Sequence, residues 1–296
     1  MTTDSGEASL FPDWHSPLRE ATNAALDQLV VQHGDRFETF AQWLLVPLLA
    51  LEQALRAAPP WVVLLAAAAL ALASSRRVGV ALLAASGLWL VGALGQWTEA
   101  MMTLALVLVA VATATMFGLP MGIACAASPR LRRLVWPLLD LMQTIPSFVY
   151  LIPAAMLFGL GKVPALLATV VYATPPLLRL TTLGLQQVSA EAQEAARAFG
   201  ATRWQALLTV RLPLALPSIL QGINQATMMA LAMVVIASMI GARGVGETVL
   251  LGLQRNDAGT GLVGGLVIVL LAIVLDRVAQ AAGARLLTRP ERDGER

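Results

Sequence analysis

Residues 194–213 read Glu194-Ala195-Ala196-Arg197-Ala198-Phe199-Gly200-Ala201-Thr202-Arg203-Trp204-Gln205-Ala206-Leu207-Leu208-Thr209-Val210-Arg211-Leu212-Pro213, a charged, helix-prone stretch between two blocks of very apolar sequence. Its local signals predict two short helices joined by a turn. Ser189 is placed to cap the first, with Glu191 and Glu194 in the early turns where carboxylates suit the helix dipole. Ala195, Ala196 and Ala198 extend that helix, and Gly200 supplies the left-handed residue that ends it. Thr202 and Gln205, three apart, predict a capping box for the second helix. Pro213 is expected to close the unit, because the residue before a proline is driven out of helical backbone.

Outward from this elbow the chain is built for lipid. Of 296 residues, 57% are hydrophobic and 13% charged, about half the charged fraction of a soluble domain. The chain has one cysteine, Cys125, so no intrachain disulfide forms and compartment is not legible from cysteine. The net charge of +2 comes from arginines at the edges of apolar segments, which argues against a nucleic-acid face. The polar, acidic first 40 residues lack the apolar core of a cleavable signal peptide.

Residues 1–58 read as an acidic tail, helical from Pro17 to His33, followed by an amphipathic segment. In 37–57, Phe37, Phe40, Trp43, Leu44, Leu48, Leu51 and Leu55 recur at helical spacing among Glu38, Gln42, Glu52, Gln53 and Arg56. That composition suits a helix lying in the interface, a short span being the other reading. Seven spans are then expected, at 60–75, 78–95, 98–127, 137–159, 164–186, 214–240 and 260–283, with a polar tail at 291–296. Arg76, Arg77, Arg130, Arg132, Arg133, Arg197, Arg203, Arg211 and the C-terminal arginines fall on one side, against Lys162, Arg243 and Arg255 on the other. The positive-inside rule puts the elbow and the C-terminus in the cytoplasm, and seven spans then put the acidic N-terminus outside, the favoured reading, or inside if 37–57 also spans.

The pattern Glu194-Ala195-Ala196, Gly200, Val210, Leu212-Pro213 resembles the EAA signature of ATP-binding-cassette (ABC) importer permeases. Leu139-Asp140-Leu141-Met142-Gln143-Thr144-Ile145-Pro146-Ser147-Phe148-Val149-Tyr150 is similar to the fourth-span signature of their glycine betaine/proline betaine branch. Met233–Gly241, with Gly244, Gly246 and Gln254, resembles that branch's sixth span and outer loop. The resemblance covers about 95–283 and implies an all-α polytopic bundle of the type I importer fold in a bacterial inner membrane. It implies a permease domain at 59–290 whose coupling elbow, 189–212, meets the ATPase through Glu194, Ala195, Ala196, Gly200, Leu212 and Pro213. It further implies a homodimer served by cytoplasmic ATPase subunits and an external substrate-binding protein, importing glycine betaine, proline betaine or choline without a cofactor. Histidine or another amino acid is the rival cargo, and a receptor or scaffold that transports nothing is the rival class.

Chemistry is otherwise sparse. Lys162, the single lysine, follows Gly161, but Met156 and Val163 stand where a Walker A loop needs Gly and Ser or Thr, so ATP hydrolysis is expected in a partner. His15 and His33 have no neighbours at metal-ligand spacing, and no metal site is expected. Pro146, Pro153, Pro175 and Pro176 interrupt spans, as non-helical backbone beside a cavity does. Gln143, Thr144, Ser147, Tyr150, Asn224 and Gln225 supply polar groups nearby, and with Pro146 they form the candidate translocation path. Asp140 reads as a carboxylate stabilised at a cytosolic helix N-terminus, a gate or a contact to the elbow being the other reading, while Arg179 and the Asp276–Arg277 pair are expected to snorkel. Gly261 and Gly265 offer close helix approach.

Overall fold

The computed structural model describes residues 14–287, so the first 13 residues and the tail at 291–296 lie outside it. The described chain is helical throughout, in the order α1 (His15–Ala57), α2 (Pro60–Ser75), α3 (Val78–Ala93), α4 (Trp97–Ala127), α5 (Pro129–Thr144), a 3-10 turn (Ser147–Tyr150) and α6 (Leu151–Phe158). Then come α7 (Lys162–Gln186), α8 (Ala190–Ala198), α9 (Arg203–Ala206), α10 (Leu212–Ser238), α11 (Val245–Gln254) and α12 (Ala258–Leu287).

Helices α4, α7 and α10 form the centre. Lipid gives little hydrophobic reward for helix association, so close packing of small residues carries it. On α4 a buried stripe of Ala110, Ala114, Gly118 and Gly122 faces α7. A Cβ at Gly122 would lie 2.8 Å from the Thr181 Cβ, so only glycine permits this approach. On α10, Ala215, Gly222, Ala226 and Ala230 are buried, and a Cβ at Gly222 would sit 3.2 Å from the Leu177 Cα. Gly261 meets Gly252 backbone to backbone, a close approach between α12 and α11, whereas Gly265 opens onto free space.

Among the described residues four helices, those at 97–127, 162–186, 203–238 and 258–280, are individually long and apolar enough to cross a membrane, and up to six spans result if two bent pairs count as one each. The expected fourth span at 137–159 is one of those pairs. It is not a straight helix: α5 and the segment from Ser147 to Phe158 meet at 108°. Ile145 is extended ahead of Pro146, the backbone a residue before proline prefers, and Pro146 starts the 3-10 turn. The other bend, 110°, separates α1 from α2.

Helix α1 runs as one element with non-helical backbone at His33. It lies across the end of the bundle opposite the elbow. Phe37 packs on Phe158 at 5.5 Å, Glu52 pairs with Lys162 at 2.6 Å, and Gln53, Arg56 and Ala57 line a groove of about 350 Å³ with Trp97 and Thr98. All of these partners sit at the far ends of α4, α6 and α7. Gly161 N–H donates to the Ile240 carbonyl at 2.8 Å and Val245 N–H to the Thr103 hydroxyl at 2.9 Å, which ties the loops at that end together.

Candidate functional site

The elbow forms by local chemistry. The Ser189 hydroxyl accepts from Ala192 N–H at 3.3 Å and starts α8. Gly200, at φ +80°, ends it: Gly200 N–H donates to the Arg197 carbonyl and Ala201 N–H to the Ala196 carbonyl, the paired bonds of a Schellman cap. At Thr202 both halves of the capping box are present, Gln205 N–H to the Thr202 hydroxyl at 3.3 Å and Thr202 N–H to the Gln205 Oε1 at 2.8 Å.

Pro213 does not close the unit. A π-helical turn at Leu207–Arg211 carries α9 straight into α10, giving one continuous helix over 203–238 of 36 residues. The wide turn accommodates a proline in the first turn of α10, where its missing N–H is least costly. Leu207 and Leu212 pack into a cluster with Leu185, Val188, Ala215 and Ile219, and the Arg211 Nη2 donates to the Leu185 carbonyl at 3.2 Å. Leu212 is therefore an anchor of the elbow. Glu194, Ala195, Gly200 and Pro213 stand exposed and Ala196 is half-buried.

Three residues that sequence reasoning did not single out dominate the elbow surface. Phe199 is 93% exposed, Trp204 72% and Leu208 60%. The signal was present: large apolar side chains between Arg197 and Arg211, in the stretch that the sequence reading places outside the spans.

The second constellation lies at the bend after α5. Gln143, Thr144 and Pro146 are exposed and Ser147 is half-buried. The Thr144 hydroxyl donates to the Leu141 carbonyl at 2.9 Å, and the Tyr150 hydroxyl donates to the Met142 carbonyl across the break. The two tyrosines of the chain meet here, Tyr150 and Tyr172 at 6.3 Å, beside Met233. Tyr150 thus fastens the bend. The 3-10 turn lies against both α7 and α10. On α10, Gln225 is exposed and Asn224 keeps a buried Oδ1 without a hydrogen-bond partner. Gln221, one turn before Gln225 and also exposed, belongs to the same face and was missed.

Asp140 sits in the last turns of α5, not at an N-terminus, and Arg179 does not snorkel freely. The Arg179 Nη2 donates to the Asp140 Oδ1, and its guanidinium lies 5.9 Å from the Trp136 ring centroid. Asp276 accepts from the Gln280 amide at 2.7 Å, since adjacent residues such as Asp276 and Arg277 point to different faces of a helix.

A tightly packed three-helix centre, an interrupted span lined with polar groups and a polar elbow outside the bundle define a multi-pass membrane transport component. The chain belongs to the binding-protein-dependent transport system inner membrane component family, which it matches over residues 118–288. It is 52% identical over 215 residues to the glycine betaine/proline betaine transport system permease protein ProW of Salmonella typhimurium, a match covering 73% of this chain and 61% of that protein's length. To the glycine betaine transport system permease protein OpuAB of Bacillus subtilis it is 42% identical over 264 residues, 89% of this chain and 93% of that one. In fold it is similar to a chain of the inward-facing MetNI methionine ABC transporter, with a TM-score of 0.54, 25% identity, and 64% of this chain and 93% of the other covered.

Proposed function

We propose that this chain is the membrane-spanning subunit of an ABC importer that carries a small methylated zwitterion, glycine betaine or proline betaine, into the cell. It works as a homodimer, receives its cargo from an external binding protein and is driven by separate cytoplasmic ATPase subunits. The observation that carries the reading is the elbow with its exposed Phe199, Trp204 and Leu208. Large apolar side chains are not left in water on a polar helix pair without a partner to cover them. The glycine betaine permeases named above support the cargo. The arginines gathered at the elbow end support a cytoplasmic elbow, with α1 at the outer surface.

The mechanism follows from how the elbow is joined to the bundle. Through the π turn it is continuous with α10, a rod of about 54 Å at 1.5 Å per residue. Arg211 and the Leu207–Leu212 anchors also fix it to the end of α7. A displacement imposed by the ATPase pair moves α7 and α10 together. The part of α10 around Met233, packed beside Tyr150, then shifts with the helix and carries Gln221, Asn224 and Gln225 with it, which exposes the path to one side and then the other.

Replacing Gly200 by Trp tests the docking surface, because φ +80° is unfavourable for any side chain and the added bulk stands on the docking face. The expected result is loss of ATPase subunits on co-purification and loss of betaine uptake. Retained association with normal uptake would remove the elbow from the mechanism.

A further inference from the structure

The ion pair between Asp140 and Arg179 falls on a helix, α7, that is long and apolar enough to cross a membrane. Arg179 is about 26 Å along α7 from Lys162 and about 11 Å from its elbow end at Gln186. A hydrocarbon layer of about 30 Å centred on this helix holds Arg179 inside it, about two turns from the helix's elbow end. Ionisable groups at such depth are costly and usually serve a path.

The pair is also incompletely satisfied. Arg179 gives one nitrogen to Asp140, but its Nε is buried with no acceptor. The Asp140 side chain is 62% exposed, against 25% for Arg179, so the carboxylate opens to the outside of the packed core. The indole of Trp136, one turn before Asp140, already faces a cation. Arg133, Trp136, Asp140 and Gln143 recur at spacings of three and four, one polar stripe on α5 leading from the elbow end to the bend.

We propose that Asp140, Arg179 and Trp136 form a weak binding site for the zwitterion on the elbow side of the path. The proposal rests on the importer reading above and goes beyond it by assigning charges to the cargo's passage. A methylated ammonium carboxylate has the polarity opposite to the resident pair. Its carboxylate meets the accessible edge of the Arg179 guanidinium, and its ammonium meets the Asp140 carboxylate and the Trp136 face. A cation alone or an anion alone gains one of these contacts and leaves a protein charge unpaired. When the solute leaves, Asp140 and Arg179 pair again, so the site competes with its own ligand and stays weak.

The test uses the transporter assembled from this chain and its ATPase subunits in lipid nanodiscs, without binding protein, and glycine betaine as probe. Saturation-transfer NMR on the N-methyl protons reads weak binding directly. The expected result is a saturable signal that each variant weakens by about tenfold or more: Arg179→Gln removes a charge-assisted hydrogen bond to the carboxylate, and Asp140→Asn removes the charge that faces the quaternary ammonium, which has no hydrogen to donate. Tetramethylammonium and acetate displace betaine at least about tenfold less well than betaine displaces itself. Variants with an undiminished signal per assembled complex overturn the proposal and leave the pair a helix–helix tie. Should a variant fail to assemble, the competition series on the unaltered chain still decides, because equal displacement by tetramethylammonium overturns it too. Failure of the importer reading looks different: proteoliposomes of the unaltered chain, with ATPase and binding protein, take up no betaine.

Discussion

Adding one methyl group at Gly184 tests whether α7 and α10 move as a unit. A Cβ there would stand 2.5 Å from the Ser218 Cβ, 3.0 Å from its Oγ and 3.3 Å from the Ala215 carbonyl oxygen. The oxygen can rotate away, but the Ser218 Cβ is fixed to its backbone. Restoring an ordinary carbon contact therefore requires α10 to retreat by about 1 Å, given optimal carbon separations near 3.5–4.0 Å. Overpacking of this kind costs about 1–3 kcal/mol, and it falls on the contact that holds the elbow's two supporting helices together. Gly184→Ala is expected to lower the melting temperature of the nanodisc-embedded protein by a few degrees and to reduce uptake. Ser218→Gly removes the atom struck, so the double variant is expected to recover most of both, a coupling that a double-mutant cycle measures directly. A Gly184→Ala protein with unchanged melting and uptake, or a double variant no better than the single one, would refute the packing argument.

Two further outcomes follow from the far end of the bundle. Glu52 is only 5% exposed and holds both Lys162, at 2.6 Å, and Arg56, at 3.5 Å. Glu52→Ala leaves the half-buried Lys162 without its carboxylate, while Arg56 can turn to water, an expected loss of about 1–3 kcal/mol, which protease sensitivity of α1 checks; unchanged cleavage would deny that α1 is held by this pair. At the start of α12, the Thr260 hydroxyl donates to the Asp257 Oδ2 at 2.6 Å and its N–H to Oδ1 at 3.1 Å, and these bonds hold the carboxyl below its ordinary range. A lowered value in the folded chain means that the cap is at full strength above the usual carboxylate range and is lost as pH falls through the lowered value. Protection against amide exchange at the first turn of α12, taken relative to an unstructured amide at the same pH, should therefore fall only in strong acid, and in Asp257→Ala be low at every pH; a wild-type loss of protection already near pH 5 would contradict this.

What the sequence made legible was local. Ser189, Gly200, Thr202 and Gln205 act on backbone within a few residues, and each sits in the structure in the conformation its chemistry prescribes. The bend was harder to place because four prolines read as interrupting spans. Pro153 lies in the first turn of α6 and Pro175 and Pro176 lie inside α7 without breaking either helix, and only Pro146, preceded by an extended Ile145, turns the chain. The unit's end at Pro213 was misread for the converse reason, since a π turn absorbs the proline and the helix runs on. The ion pairs were out of reach. Asp140 and Arg179 are 39 residues apart and Glu52 and Lys162 are 110 apart, and nothing local in either segment names its partner.

The central claim is that the elbow drives the path through an unbroken helix into α10. Inserting two glycines after Leu207 breaks that continuity while leaving α8, Gly200 and the capping box at Thr202 in place. The decisive measurement is the ratio of betaine imported to ATP hydrolysed in proteoliposomes carrying the full transporter and its binding protein. The account predicts that the ATPase still binds and still hydrolyses ATP while uptake per ATP falls by an order of magnitude or more. An unchanged ratio in the insertion variant would contradict it.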